Sequence, residues 1–207
     1  MEPPSNLIKI GVTGHRYLDN EIDLKKQIFK VLSIEVPKLS TDNSSIMESS
    51  YLCVLTPLAE GADRLVAESI LEFNDKSYLE VVLPLSPQDY KKTFNNPDDP
   101  RFAILLNKAK SIKQIRNEPK NNSNIENLSE TDFTTNNNLF LNKAFEEAGR
   151  YIANNCDVLI ALWDGKKSNL MGGTSEIVEY AYSIGKAIII ISTIPPYRIS
   201  ISKARIT

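Results

Sequence analysis

Five short apolar runs punctuate the chain, at residues 7–12, 51–55, 79–85, 157–163 and 187–192. Each is dominated by Ile, Val and Leu and lacks strict alternation of apolar and polar positions. That pattern predicts strands buried on both faces. Between the runs, apolar residues recur every three or four positions. Leu24, Ile28, Val31 and Leu32 form one stripe, and Ala62, Leu65, Val66, Ser69 and Ile70 a second. Ala144, Phe145, Ala148, Tyr151 and Ile152 form a third, and Ile177, Ala181 and Ile184 a fourth. Such stripes predict amphipathic helices. Strands alternating with helices imply right-handed βαβ units and a parallel sheet. The expected fold class is therefore α/β, a Rossmann-like three-layer sandwich around a five-stranded, mainly parallel sheet. Known folds of this type suggest the strand order 3-2-1-4-5.

The middle of the chain breaks the alternation. Pro84-Leu85-Ser86-Pro87 ends the third run and starts a short helix expected over residues 88–94. A turn cluster, Asn95-Asn96-Pro97-Asp98-Asp99-Pro100, follows, and residues 101–110 are consistent with another helix. From Asn117 to Asn138 the composition is dominated by Asn, Ser, Thr and Glu. Residues 95–138 thus read as an excursion off the sheet, either a surface loop or a lid over a binding crevice. Pro195-Pro196 closes the main domain, expected over 1–194. Residues 197–207 contain Arg198, Lys203 and Arg205 and no acid, so 195–207 reads as a basic tail or linker. Its Ile-Ser-Ile-Ser alternation fits an edge strand or an oligomer arm.

The bulk properties narrow the function classes. With 207 residues the chain has room for one large domain. A formal charge of −2 provides no global field toward nucleic acid or anionic membrane. No apolar run approaches the roughly 20 residues of a membrane helix. The start, Met1-Glu2-Pro3-Pro4-Ser5, lacks the basic and apolar regions of a secretory signal. Cys53 and Cys156 each adjoin or lie within an apolar run, as small buried hydrophobes do in a reducing compartment. The expected location is cytoplasmic. One His and no Cys pair at ligand spacing argue against a metal site, and no resident cofactor is expected.

Three polar motifs each follow a predicted strand and open a helix: Thr13-Gly14-His15-Arg16, Glu60-Gly61-Ala62-Asp63-Arg64 and Gly172-Gly173-Thr174-Ser175-Glu176. In the expected strand order the chain reverses between the first and fourth strands, where open α/β sheets bind ligands. All three motifs, with Asp164 at the exit of the fourth strand, should converge there. Gly14 suits a backbone lying against a ligand, and Arg16 can fork onto a phosphate. His15 can donate to phosphate or ribose, transfer a proton, or simply order the loop. Glu60 stands at a strand exit, where ribose hydroxyls are natural partners. Gly61 lies in the same turn, and Asp63 either contacts ligand or complements the helix dipole. Arg64 reads as a surface or ion-pair residue. Gly172, Gly173 and Thr174 leave backbone N–H groups at a helix start, which suits an anion. Glu176 reads in two ways. It can reach back as in a capping box, or face a sugar and act at an anomeric carbon. No Gly-x-x-x-x-Gly-Lys-Ser/Thr loop and no complete Gly-x-Gly-x-x-Gly fingerprint is present.

From about residue 7 to 192 these motifs resemble the SLOG superfamily of Rossmann-like domains. That family includes lonely-guy phosphoribohydrolases and sensor domains of bacterial antiphage systems. Ile10-Gly11-Val12-Thr13-Gly14-His15-Arg16, Ala59-Glu60-Gly61-Ala62-Asp63-Arg64 and Gly172-Gly173-Thr174-Ser175-Glu176 carry the resemblance. The last departs from the family's Gly-Gly-x-Gly-Thr-x-x-Glu pattern. Thr174 follows the double glycine directly, and Met171 stands where Pro is usual. The first two motifs fit the sensor branch. That branch implies a binder of a nucleotide or nucleotide-derived messenger, such as one like cyclic ADP-ribose, in antiphage defence or signalling. It also implies a homo-oligomer acting on a partner effector or a fused domain. Residues 157–185 resemble nucleoside 2-deoxyribosyltransferases as well. The competing class is thus an N-glycosidic bond hydrolase or transferase, with Glu176 as the catalytic residue. A scaffold with a vestigial pocket is a third class.

Overall fold

The computed structural model describes residues 6–39, 51–116, 130–167 and 172–202, with the side chains of 130–137 outside the description. Part of the 95–138 excursion, Met171 and the end of the tail therefore lie outside the described residues. The chain is α/β, with one mixed sheet flanked by helices. Its strands are β1 (Leu7–Gly14), β2 (Tyr51–Thr56), β3 (Tyr78–Leu83), β4 (Ala109–Gln114), β5 (Val158–Trp163), β6 (Ala187–Ser192) and β7 (Ile199–Ser202). The order across the sheet is β4-β3-β2-β1-β5-β6-β7. Every pairing is parallel except β6 with β7.

The sheet has seven strands rather than the expected five, and both additions are edges. β4, Ala-Lys-Ser-Ile-Lys-Gln, is almost wholly exposed, so burial imposes no apolar run on it. Its lysines are typical of an edge that must not pair with another chain. β7 is four residues long, and Ile199 and Ile201 turn to the core while Ser200 faces away. The helix expected over 101–110 ends at Asn107, and the chain enters β4 two residues later. The five buried strands occupy the order β3-β2-β1-β5-β6, so the chain leaves β1 to one side and returns to its other side at β5.

Alternate residues of the central strands feed two cores. Ile8, Ile10, Val12, Val54 and Ile160 meet Leu24, Ile28, Val66 and Ile70 from α1 (Glu21–Lys30) and α3 (Ala62–Phe73). Leu55, Leu159 and Ile188 meet Ala148, Ile152, Ile177 and Ala181 from α6 (Glu130–Asn155) and α7 (Thr174–Ser183). Cys53 and Cys156 are buried in this second core as free thiols. A π-helical turn, Val31–Glu35, joins α1 to α2 (Val36–Leu39). Among the described residues no helix is long and apolar enough to cross a membrane.

The helices α4 (Pro87–Lys91) and α5 (Pro100–Asn107) follow β3, each begun by an Ser or Asp cap and a Pro in its first turn. Arg64, only 1% exposed, anchors this region. Its Nη1 donates to Asp99 Oδ2 at 2.8 Å and its Nε to the Leu58 carbonyl at 3.2 Å. The guanidinium lies 4.7 Å from the Phe94 ring centroid and 5.7 Å from that of Phe102. Arg64 is thus an ion-pair residue, but a buried one. Arg64→Ala removes the packing and leaves the half-buried Asp99 without its cation. We expect it to lower the unfolding free energy by about 3 kcal/mol, read from the urea midpoint. An unchanged midpoint would show that this cluster does not hold α4 and α5.

Candidate functional site

A cleft of about 610 Å³ opens at the carboxyl ends of β1 and β5. Its walls come from the loop after β1, the start of α3, Tyr90 and Thr93 around α4, one side of α6, and the start of α7. The position is the switch point of the sheet, where loops on either side diverge and leave a crevice.

The loop after β1 is fixed by backbone contacts. His15 N–H donates to the Leu162 carbonyl, and Ala62 N–H donates to the His15 carbonyl, both at 3.0 Å. A Cβ on Gly14 would lie 2.4 Å from Ala62 Cβ and 2.8 Å from the Leu162 oxygen. Gly14 is therefore required by the close approach of α3. Gly61, at φ 74°, packs against the carbonyls of His15 and Arg16 and does not line the cleft. Thr13, Gly14, His15 and Arg16 all line it. Arg16 donates from Nη1 to the Thr93 carbonyl at 2.9 Å and lies 5.3 Å from the Phe145 ring centroid.

His15 and Asp164 form a pair at the cleft. His15 Nε2 is 3.1 Å from both the Asp164 amide nitrogen and Asp164 Oδ1. One ring nitrogen cannot serve both: unprotonated it accepts from the amide, and protonated it donates to the carboxylate. Burial pushes the Asp164 carboxyl upward, but the Lys166 amide, His15 and the Lys166 charge together hold it below its ordinary value. Asp164 does not itself line the cleft, whereas Lys166 does.

The other three candidate carboxylates separate sharply. Glu60, 9% exposed, accepts from the Asn95 and Asn96 amides, each at 2.8 Å, and so holds the turn before α5. Glu176 turns back along its own helix. With Gly173 as N-cap, its Oε2 accepts from Gly172 N–H at 2.7 Å, and its Oε1 is 3.4 Å from Arg150 Nη2. Glu176 reaches back past the helix start as in the capping alternative, but to the residue before the N-cap rather than to Gly173 itself. Neither Glu60 nor Glu176 lines the cleft. Asp63 does line it, although it is only 4% exposed. Its Oδ2 accepts from the Ala59 amide at 3.0 Å. Burial pushes its carboxyl up to about 7, against the Ala59 hydrogen bond and the charges of Arg16 and Arg64.

At the start of α7, Gly172, Gly173 and Thr174 face the cleft. Gly172, at φ 74°, leaves no room for a Cβ against Phe145 and the Glu146 amide. Gly173 has no side chain to cap the helix, and although Glu176 takes the Gly172 amide, the amino end of α7 borders the cleft. Tyr90, Leu141, Phe145 and Trp163 add apolar lining, with Phe145 packed against Gly172 and 5.3 Å from the Arg16 guanidinium. Sequence motifs did not point to these residues, although Phe145 belongs to the third helical stripe. Asn138, the last residue of the Asn-rich stretch, also lines the cleft. Among the described residues no group of three or more His, Cys, Asp or Glu could hold a metal.

Neither a protein-family model nor a curated protein matches the chain.

The raised Asp63 pKa has a stability consequence. The native state binds this proton more tightly than the unfolded chain, whose carboxyl titrates near 3.8. The stabilisation is thus complete below about pH 4 and is lost as pH rises through about 7. Asp63→Asn removes that titration while keeping an acceptor for the Ala59 amide. Between pH 5 and 8 the wild type should lose on the order of 2 kcal/mol relative to Asp63→Asn in urea unfolding. Parallel pH profiles for the two proteins would contradict the buried, neutral carboxyl.

Proposed function

We propose that the cleft binds a nucleotide or nucleotide-derived small molecule, and that the chain is a ligand-binding module rather than a glycosidase. The observation that carries the reading is the composition of one crevice at the sheet's switch point. The amino end of α7, where Gly173 and Thr174 line the cleft, and the Arg16 guanidinium supply anion-binding groups. Tyr90, Leu141 and Phe145 supply apolar surface beside it that suits a base. Anion-binding groups and aromatic surface together in one crevice match the phosphate and the base of a nucleotide.

The enzyme reading needs a free carboxylate beside an anomeric carbon. Glu176 instead accepts from Gly172 N–H and meets Arg150, and its carboxylate is absent from the cleft lining. Within the binding reading, the SLOG resemblance suggests a sensor in antiphage defence or signalling. It would act as an oligomer or through a partner or fused effector, and its ligand would favour one assembly state over another.

The direct test incubates the protein with nucleotides, deoxynucleosides, NAD and cyclic ADP-ribose. Thermal shift and mass spectrometry are read on the same samples. The expected result is a stabilising ligand recovered intact, with Arg16→Ala weakening it about tenfold. Release of free base or ribose phosphate, abolished by Glu176→Gln, would instead establish the glycosidase.

A further inference from the structure

Among the cleft groups that the phosphate and base contacts leave unused is Asp63. Asp63 is in the first turn of α3, nine-tenths or more buried, and yet lines the cleft. One of its oxygens, Oδ2, is held by the Ala59 amide. No described residue hydrogen-bonds the other, Oδ1. Among the described residues Oδ1 is not one of the polar atoms cut off from both a partner and solvent, so it is reached from the cleft and open to a donor carried by a ligand there.

The surroundings select the kind of donor. Arg16 and Arg64 act electrostatically on Asp63, and Tyr90 lies within its field. Two guanidinium groups disfavour an added cation such as an ammonium. A phosphate oxygen offers no proton and would be repelled by the ionised carboxylate. A hydroxyl suits the position in either protonation state, because it donates to a carboxylate and accepts from a carboxylic acid. With the carboxyl pushed to about 7 by burial, both states are populated near neutrality. In a nucleotide, the neutral hydroxyls are those of the sugar. Glu60 and Glu176, the other acids expected to hold ribose, are already hydrogen-bonded to backbone amides and do not line the cleft.

We propose that Asp63 determines the specificity of the cleft by accepting a hydrogen bond from a ribose hydroxyl, so that ribonucleotides are bound in preference to their deoxy counterparts. The inference rests on the nucleotide reading of the cleft and adds the sugar to it.

The test measures calorimetric affinities for adenosine, guanosine, cytidine and uridine diphosphates and for their 2′-deoxy and 3′-deoxy forms. The wild type should bind at least one ribonucleotide about tenfold or more tighter than one of its deoxy forms. Asp63→Ala should bind that pair within about twofold, mainly by losing affinity for the ribonucleotide. Asp63→Asn, which keeps the Ala59 contact and can still offer an N–H to the hydroxyl, serves as a second variant and should fall between the wild type and Asp63→Ala. Equal wild-type affinities for ribo and deoxy forms would overturn the inference and leave the nucleotide reading standing. So would discrimination that survives unchanged in both variants. Failure of every diphosphate to bind would remove the nucleotide reading and this inference together.

Discussion

Gly14 lies where three pieces of backbone converge: the end of β1, the end of β5 and the start of α3. There is no room there for a Cβ, since it would strike Ala62 and the Leu162 carbonyl. The adjoining amides complete the junction, His15 N–H donating to the Leu162 carbonyl and Ala62 N–H donating to the His15 carbonyl. Because these contacts are backbone to backbone, they fix the loop irrespective of side-chain rotamers. Arg16, His15 and Asp63 then project from a rigid base. Pre-positioning of this kind lowers the entropy lost when a ligand is bound.

The carboxylates around the cleft divide their tasks according to what each can reach. Glu60 meets two consecutive amides and holds the turn at Asn95-Asn96. Glu176 satisfies the Gly172 amide just ahead of its own helix. Asp164 is committed to His15 and the Lys166 loop. Only Asp63 combines deep burial with a place on the cleft wall. A carboxylate that keeps one oxygen for the fold and one for the cleft is well suited to select ligands, because its geometry does not depend on the ligand.

The buried strands and their helices were legible in the sequence because burial on both faces demands continuous apolar runs. Leu7 to Val12 and Val158 to Trp163 are of this kind. The same logic missed β4, whose Lys110, Ser111 and Lys113 face solvent and carry no hydrophobic signal. It left β7 as one of two alternatives, since four residues with a single buried face are a weak pattern. At the site, residues of all three turn motifs line the cleft, but motif reading cannot say where a side chain points. Glu60 and Asp63 are three residues apart in one motif, and only the structure separates an acid bound to neighbouring amides from one exposed to the cleft. Tyr90, Leu141 and Phe145 come from distant segments that read as ordinary helix faces, so nothing local distinguished them.

The central claim is that ligand binding is confined to the crevice between β1 and β5. Hydrogen–deuterium exchange, with and without the ribonucleoside diphosphate that stabilises the protein most, tests it directly. The account predicts slowed exchange at residues 13–16, 61–64 and 172–176, with β4 and β7 unchanged. Protection concentrated at either sheet edge, with these three segments unaffected, would contradict it.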